Sequence, residues 1–242
     1  MGWNPSYFGP NGNGTDCGYN CPVEYVSWFD AVAYANELSL VAGLAPCYIL
    51  SSVQCSDSTT VVPSYMTCMN TTKKGVNSAT ISLNEVSKPQ DCVGYRLPTE
   101  SEWEYAIRAG NQYTAFYQSD GNDGTIYDVA IEPNVDLIGW YFINSGLITH
   151  PVGKKAANAW GLYDMSGNVR EWIWDYRAGY PAGTISNPLV DPAGPRSGYG
   201  RVLRGGSCEG YAEYLRSAWN VENASSFTRL QALGFRLVRT LP

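Results

Sequence analysis

The chain has 242 residues, of which 44% are hydrophobic, enough to bury a substantial core and to set disorder aside. A formal charge of -6 with only 16 lysines and arginines excludes a nucleic-acid groove and an anionic membrane surface, since both need clustered cations. Charged residues are scarce at 16% while 18 tyrosines, 25 glycines and 8 tryptophans are abundant, a mixture suited to loop-rich extracellular folds and to contact surfaces built from Tyr and Gly.

The cysteines are the first local signal: there are seven, and all but Cys208 precede residue 93, which points to oxidation and an extracellular or periplasmic setting. Cys17 and Cys21 flank Gly18-Tyr19-Asn20, a loop suited to a short disulfide ring; a zinc site would need further ligands, and His150 is the only histidine. No apolar run reaches the length of a membrane span, and Met1-Gly2-Trp3-Asn4-Pro5 does not read as a signal peptide, so a leader is expected to have been removed.

The first predicted helix starts at N-cap Ser27, with Asp30 three residues on as in a capping box, and runs from Trp28 to Val41 before Gly43 stops it. Ala31, Ala35 and Leu38 share its inward face. A polar segment rich in Ser and Thr follows, residues 51–87, without helical periodicity. Cys47, Cys55, Cys68 and Cys92 bracket it, and two disulfides are expected there, with three pairings open. The second helix has Pro98, N-cap Thr99 and Glu102 at its third position, with Trp103, Ala106 and Ile107 inward and Gly110 as terminator.

Beyond Gly110 the pattern is loops and brief strands, punctuated at residues 120–124, Asn158, Pro181, Pro188 and Asp191-Pro192. His150, before Pro151, reads as part of a structural strand. Residues 202–204 and 235–238 read as strands that pair antiparallel near the middle of a sheet. Trp172 and Trp174 alternate and are expected to pack the core. No repeat or linker divides the chain, so a single domain over residues 1–242 is expected.

Five blocks in order carry a family resemblance. They are Pro22-Val23-Glu24-Tyr25-Val26-Ser27-Trp28, Tyr95-Arg96-Leu97-Pro98-Thr99-Glu100, and Asn158-Ala159-Trp160-Gly161-Leu162-Tyr163-Asp164-Met165. Gly167-Asn168-Val169-Arg170-Glu171-Trp172 follows, and then the pair Arg204-Gly205-Gly206-Ser207 with Gly234-Phe235-Arg236-Leu237-Val238-Arg239. Together they resemble the formylglycine-generating enzyme family, also called the sulfatase-modifying-factor domain. The resemblance implies an α+β fold, a variant of the C-type lectin fold, with a small twisted antiparallel sheet, two main helices and much irregular structure. It also implies that the family's opening strand and helix are missing before Gly2.

The resemblance also locates the family's chemistry. Its aerobic oxidases hold copper(I) with two thiolates, a pairing suited to that soft ion, at the third and eighth positions after the Ser of the Gly-Gly-Ser motif. Those positions are Gly210 and Leu215 here; Ser207 is kept, and Cys208 lies two residues too early. No catalytic residue and no copper are therefore expected. The iron-dependent branch needs three histidines, which one histidine cannot supply. A calcium site of oxygen ligands is implied at Asp164, the carbonyls of Gly167 and Val169, and Glu171, against the simpler reading that Glu171 pairs with Arg170 or another arginine. Cys208 is either a buried apolar residue or a reactive thiol.

Between Ser207 and Leu233 the chain carries Glu209, Tyr211, Glu213, Tyr214, Trp219 and Asn220, aromatic and small polar side chains that give contact area at low entropy cost. The expected function is a non-catalytic binding or assembly module whose ligand is a protein, a glycan or a second copy. The alternatives are a copper-dependent oxidase with unusual ligation and a structural subunit of a surface polymer.

Overall fold

The computed structural model describes residues 6–8, 18–56, 58, 60–68, 75–111, 133–179, 184, 186–195, 197–220 and 222–241. Cys17, the turn at residues 120–124 and Pro181 lie outside them.

Helix α1 (Trp28–Val41) begins with the expected reciprocal cap. The Ser27 Oγ accepts from the Asp30 N–H at 3.1 Å, and the Asp30 carboxylate accepts from the Ser27 N–H at 2.9 Å. The buried Asp30 also accepts from the Val76 N–H at 2.7 Å and from Arg229 at 2.6 Å. One acidic side chain thus caps the helix and ties it to two distant segments. Gly43, at φ +70, turns the chain away after the last turn.

The Ser/Thr-rich segment contains more regular structure than its composition suggests. Strands β1 (Tyr48–Cys55), β2 (Val61–Val62) and β3 (Val76–Leu83) form an antiparallel sheet in the order β2-β1-β3, with a single helical turn, α2 (Tyr65–Thr67), between β2 and β3. Disulfides Cys47–Cys92 and Cys55–Cys68 resolve the three open pairings, one closing the base of the insertion and the other its far end. Cys21 is also disulfide-bonded.

Next come β4 (Tyr95–Arg96) and α3 (Glu100–Arg108), the latter with the predicted Thr99–Glu102 capping box and Trp103 and Ile107 buried. Then follow α4 (Pro133–Ile138), β5 (Gly139–Trp140), β6 (Ser166–Gly167), β7 (Arg170–Tyr176), β8 (Arg201–Arg204), β9 (Asn223–Ala224), β10 (Leu233–Gly234) and β11 (Val238–Arg239). The result is the α+β fold that the resemblance implies.

Two strand expectations are corrected. Residues 202–204 and 235–238 are not partners: β8 lies between β7 and β9, in a sheet ordered β10-β7-β8-β9, while β11 pairs with β4. The chain leaves β10 at Gly234 and crosses to another sheet. β10 runs parallel to β7, so this sheet is mixed rather than purely antiparallel. His150 is not in a strand either; its ring stacks on Trp140 at 3.8 Å, and Asn168 accepts its backbone N–H at 3.0 Å.

The core forms where α1 meets the mixed sheet. Trp28 and Trp172 are fully buried and satisfy their indole N–H groups reciprocally, Trp28 on the Ile173 carbonyl and Trp172 on the Val26 carbonyl, both at 2.9 Å. A buried tryptophan of this kind is worth about 3–5 kcal/mol against alanine. Arg201 lies over Trp28 at 3.7 Å and Tyr176 at 3.6 Å, and burial lowers its guanidinium to about 10. Arg201 is thus a structural cation, held over the aromatic core. Among the described residues no helix is long and apolar enough to cross a membrane.

Candidate functional site

The Gly-Gly-Ser motif leaves β8, all four residues of which are buried, and reverses the chain. Gly205 at φ +92 and Gly206 at φ +69 adopt left-handed backbone, and a Cβ on Gly206 would lie 2.8 Å from the Leu215 side chain and 2.9 Å from the Tyr214 carbonyl. Only glycine lets residues 207–215 fold back this closely. Ser207 is buried, and its Oγ accepts from Arg170 at 2.5 Å, while Arg170 also pairs with Glu222 at 2.8 Å.

The two positions where an oxidase would carry thiolates are filled otherwise. Gly210 is buried, with the Tyr214 ring 3.1 Å from where a Cβ would sit, and its carbonyl accepts from the Phe142 N–H at 2.9 Å. Leu215 is buried in an apolar cluster with Val135, Ile138, Tyr141 and Ala212. Cys208 is buried as well, held by hydrogen bonds from its N–H to the Asn168 carbonyl and from the Ser145 hydroxyl to its own carbonyl. Burial, with Glu209 adding to it, pushes its thiol up to about 12. The apolar alternative for Cys208 is the one the fold realises.

Outside this buried layer the aromatic residues form a row. Trp219 stacks on Tyr214 with centroids 4.9 Å apart, Tyr214 meets Tyr211 at 5.9 Å, and Tyr211 meets Phe142 at 5.4 Å. Arg216 lies 5.2 Å over Trp219. Tyr211 and Phe142 are 48% and 41% exposed, which leaves their faces open to solvent. Glu209 is exposed beside them, and Glu213 and Asn220 are half-buried. Two buried or half-buried arginines fix the floor: Arg204 donates to the Ser217 carbonyl at 2.6 Å and the Trp219 carbonyl at 2.5 Å, and Arg177 donates to the Asn220 carbonyl at 2.5 Å. The structure therefore brings Glu209, Tyr211, Glu213, Tyr214, Trp219 and Asn220 into one neighbourhood. Phe142 was missed by the sequence reading; its only signal was the run Tyr141-Phe142-Ile143 inside a loop, two of whose members are exposed.

Asp164, Gly167, Val169 and Glu171 span the turn around β6 and the start of β7. Asp164 and Asn168 have positive φ, which brings the turn back on itself. The donor types suit a hard cation, but Glu171 is already engaged through both oxygens. Arg236 donates to each at 2.6 Å, and the Trp103 indole N–H donates to Oε2 at 2.7 Å. Arg236 also reaches the Asp164 carbonyl at 3.1 Å, and the Asp164 carboxylate accepts from the Gly153 N–H at 2.7 Å. As placed, the Glu171 carboxylate is paired with the Arg236 guanidinium. Among the described residues no three His, Cys, Asp or Glu side chains gather as a metal cluster.

A model of the sulfatase-modifying factor enzyme 1-like domain matches residues 2–241. Chaperone protein LppX of Paenibacillus barcinonensis is 34% identical over 195 residues, covering 74% of this chain and 57% of that protein. Formylglycine-generating enzyme of Streptomyces coelicolor is 35% identical over 170 residues, covering 64% of this chain and 50% of the enzyme. The chain thus spans about half the length of these curated relatives. The solved structure of Treponema denticola variable protein 1 superposes with a TM-score of 0.72 at 36% identity, over 98% of this chain and 77% of that one.

Proposed function

Because the chain belongs to the sulfatase-modifying factor enzyme 1-like domain family, we propose that it uses the family scaffold for binding rather than for oxidation. The observation that carries the reading is the pair Gly210 and Leu215. A glycine and a packed leucine occupy the positions where the family resemblance calls for two thiolates, and the nearby thiol of Cys208 is buried and protonated. The same loop exposes Tyr211 and stacks the half-buried Tyr214 and Trp219 behind it, which gives a recognition surface of Tyr211, Tyr214 and Trp219, rimmed by Glu209, Glu213 and Asn220. A relative named as a chaperone protein and a structural neighbour named as a variable protein support a role for this scaffold apart from turnover. The disulfides support an extracellular or periplasmic setting.

The ligand class proposed is a protein or glycan that stacks on the aromatic row. Screened on a glycan array and against a displayed peptide library, the protein is expected to select a ligand. Alanine at Tyr211, Tyr214 and Trp219 together should lose that ligand at least tenfold, by roughly 1.4 kcal/mol or more, while the thermal midpoint is kept. Retained binding would sink the surface. Stoichiometric copper(I) binding with conversion of a sulfatase-peptide cysteine to the aldehyde would instead establish the oxidase. Calcium at the turn before β7 remains a proposal of its own: the ion would bind by taking Glu171 from Arg236. A rise in thermal midpoint on adding calcium, reversed by chelator, is the observation that would carry it.

A further inference from the structure

We propose that the outer edge of β3 is a self-association surface, on which a second copy of this chain adds its own β3 antiparallel about a two-fold axis through Ile81. The sheet order β2-β1-β3 leaves β3 at an edge. Tyr48 of β1 spends its backbone on α1: its N–H donates to the Asn36 side chain at 3.1 Å, and its carbonyl accepts from the same side chain at 2.7 Å. Leu83 stands opposite Tyr48 in the register, so the two form a pair that exchanges no hydrogen bond, and Leu83 turns its own N–H and C=O outward. Ile81, opposite Leu50, and Ala79 follow at the strand's period of two. Among the described residues nothing pairs with these backbone groups.

Edge strands are ordinarily blunted by charge, proline or shortness. β2, the other edge of this sheet, has two residues; β3 has eight, Val-Asn-Ser-Ala-Thr-Ile-Ser-Leu, with no charge, proline or glycine. Only its Val76 end is closed, by Asp30 and Arg229. The two disulfides hold the sheet at its base and far end, so the edge is organised before any partner arrives.

Self-complementarity selects a second copy as the occupant. With the axis through Ile81, each Ile81 faces its symmetry mate and Ala79 faces Leu83 of the second copy, so the half-buried apolar face continues across the junction. The outward backbone groups of these three residues exchange about six hydrogen bonds. On the solvent face Thr80 meets Ser82 of the second copy, a cross-strand hydroxyl pair of the favourable kind. A chain of net charge -6 repels its copy elsewhere, but a charge-free edge adds nothing to that repulsion.

Sedimentation velocity of the full chain tests the assignment. The wild type is expected to show a dimer that grows with concentration. Thr80→Lys combined with Ser82→Lys sets like charges opposite each other at two exposed positions and should give a monomer with an unchanged thermal melt. An equimolar mixture of that variant with Thr80→Glu plus Ser82→Glu should restore the dimer. A wild type that stays monomeric at every concentration, a lysine variant that still dimerises, or a charge-matched mixture that stays monomeric each overturns the proposal.

Discussion

A thiol acts as a nucleophile or a copper ligand only as the thiolate, and Cys208 is held far from that state. Its side chain is buried, and the loss of solvent pushes the thiol up to about 12, with Glu209 adding to the rise and Arg170 opposing it. At pH 8 the thiolate fraction is then on the order of one in ten thousand, and the side chain has no exposed surface. Native protein treated with iodoacetamide at pH 8 should therefore carry no alkyl group on Cys208 by peptide mass spectrometry, and full modification should follow in denaturant. Ready alkylation of the native chain would contradict the burial of Cys208, which supports the non-oxidative reading beside Gly210 and Leu215. Glu171 shows how a buried carboxyl is accommodated: Arg236 and the Trp103 indole N–H donate to it, so neither oxygen is left without a partner.

Elements whose signals are local were legible in the sequence, and those whose partners are distant were not. The capping boxes at Ser27 and Thr99 depend on residues three apart, and both helices start as read. In α3 the box is reinforced, because Glu102 also holds the buried Arg96 at 2.7 Å and that pairing lowers the Glu102 carboxyl against the effect of its burial. Thr99→Ala should cost about 1–2 kcal/mol in urea unfolding with the slope unchanged; a cost near zero would show that Glu102 and Arg96 suffice without the cap. β8 was legible as a strand at residues 202–204, but its partners β7 and β9 were not, and β10 has two residues whose parallel partner lies more than sixty positions away. The insertion's sheet was hidden by its Ser and Thr content, although β-branched and hydroxyl side chains suit a half-exposed strand. At the recognition face the residues after Ser207 were legible by composition, whereas Phe142 arrives from a loop whose position only the fold determines. The Arg236 hold on Glu171 spans 65 positions and left no local trace beyond the two charges themselves.

For the molecule as a whole, two buried carboxyls set how stability responds to pH. Glu24 has no solvent exposure, and burial raises it from 4.5 to about 7 even though its Oε1 accepts from the Phe8 N–H; among the described residues its Oε2 has no hydrogen-bond partner. Asp175 is raised from 3.8 to about 7, mainly by burial, while it accepts from the Glu100 N–H at the start of α3. In each case the folded state holds its proton more tightly than the unfolded chain. The associated stability is fully present below the unfolded values near 4 and is lost as pH rises through about 7. Glu102 works in the other direction, because its lowered carboxyl contributes stability above its unfolded value that is lost on acidification. The balance predicts a stability maximum on the acid side of neutrality and a decline that sets in above pH 4.5 and is complete once pH has passed about 7. Each raised carboxyl contributes about 1–3 kcal/mol to that decline. Glu24→Gln, which keeps an oxygen for the Phe8 N–H and removes the ionisation, should flatten the decline; Asp175→Asn should do so independently, since the Asn carbonyl still accepts from Glu100. Urea unfolding of wild type and both variants at half-unit pH steps measures the effect. Profiles that run parallel between pH 5 and 8 would mean that these two carboxyls ionise freely in the folded protein and that its acid optimum, if any, has another origin.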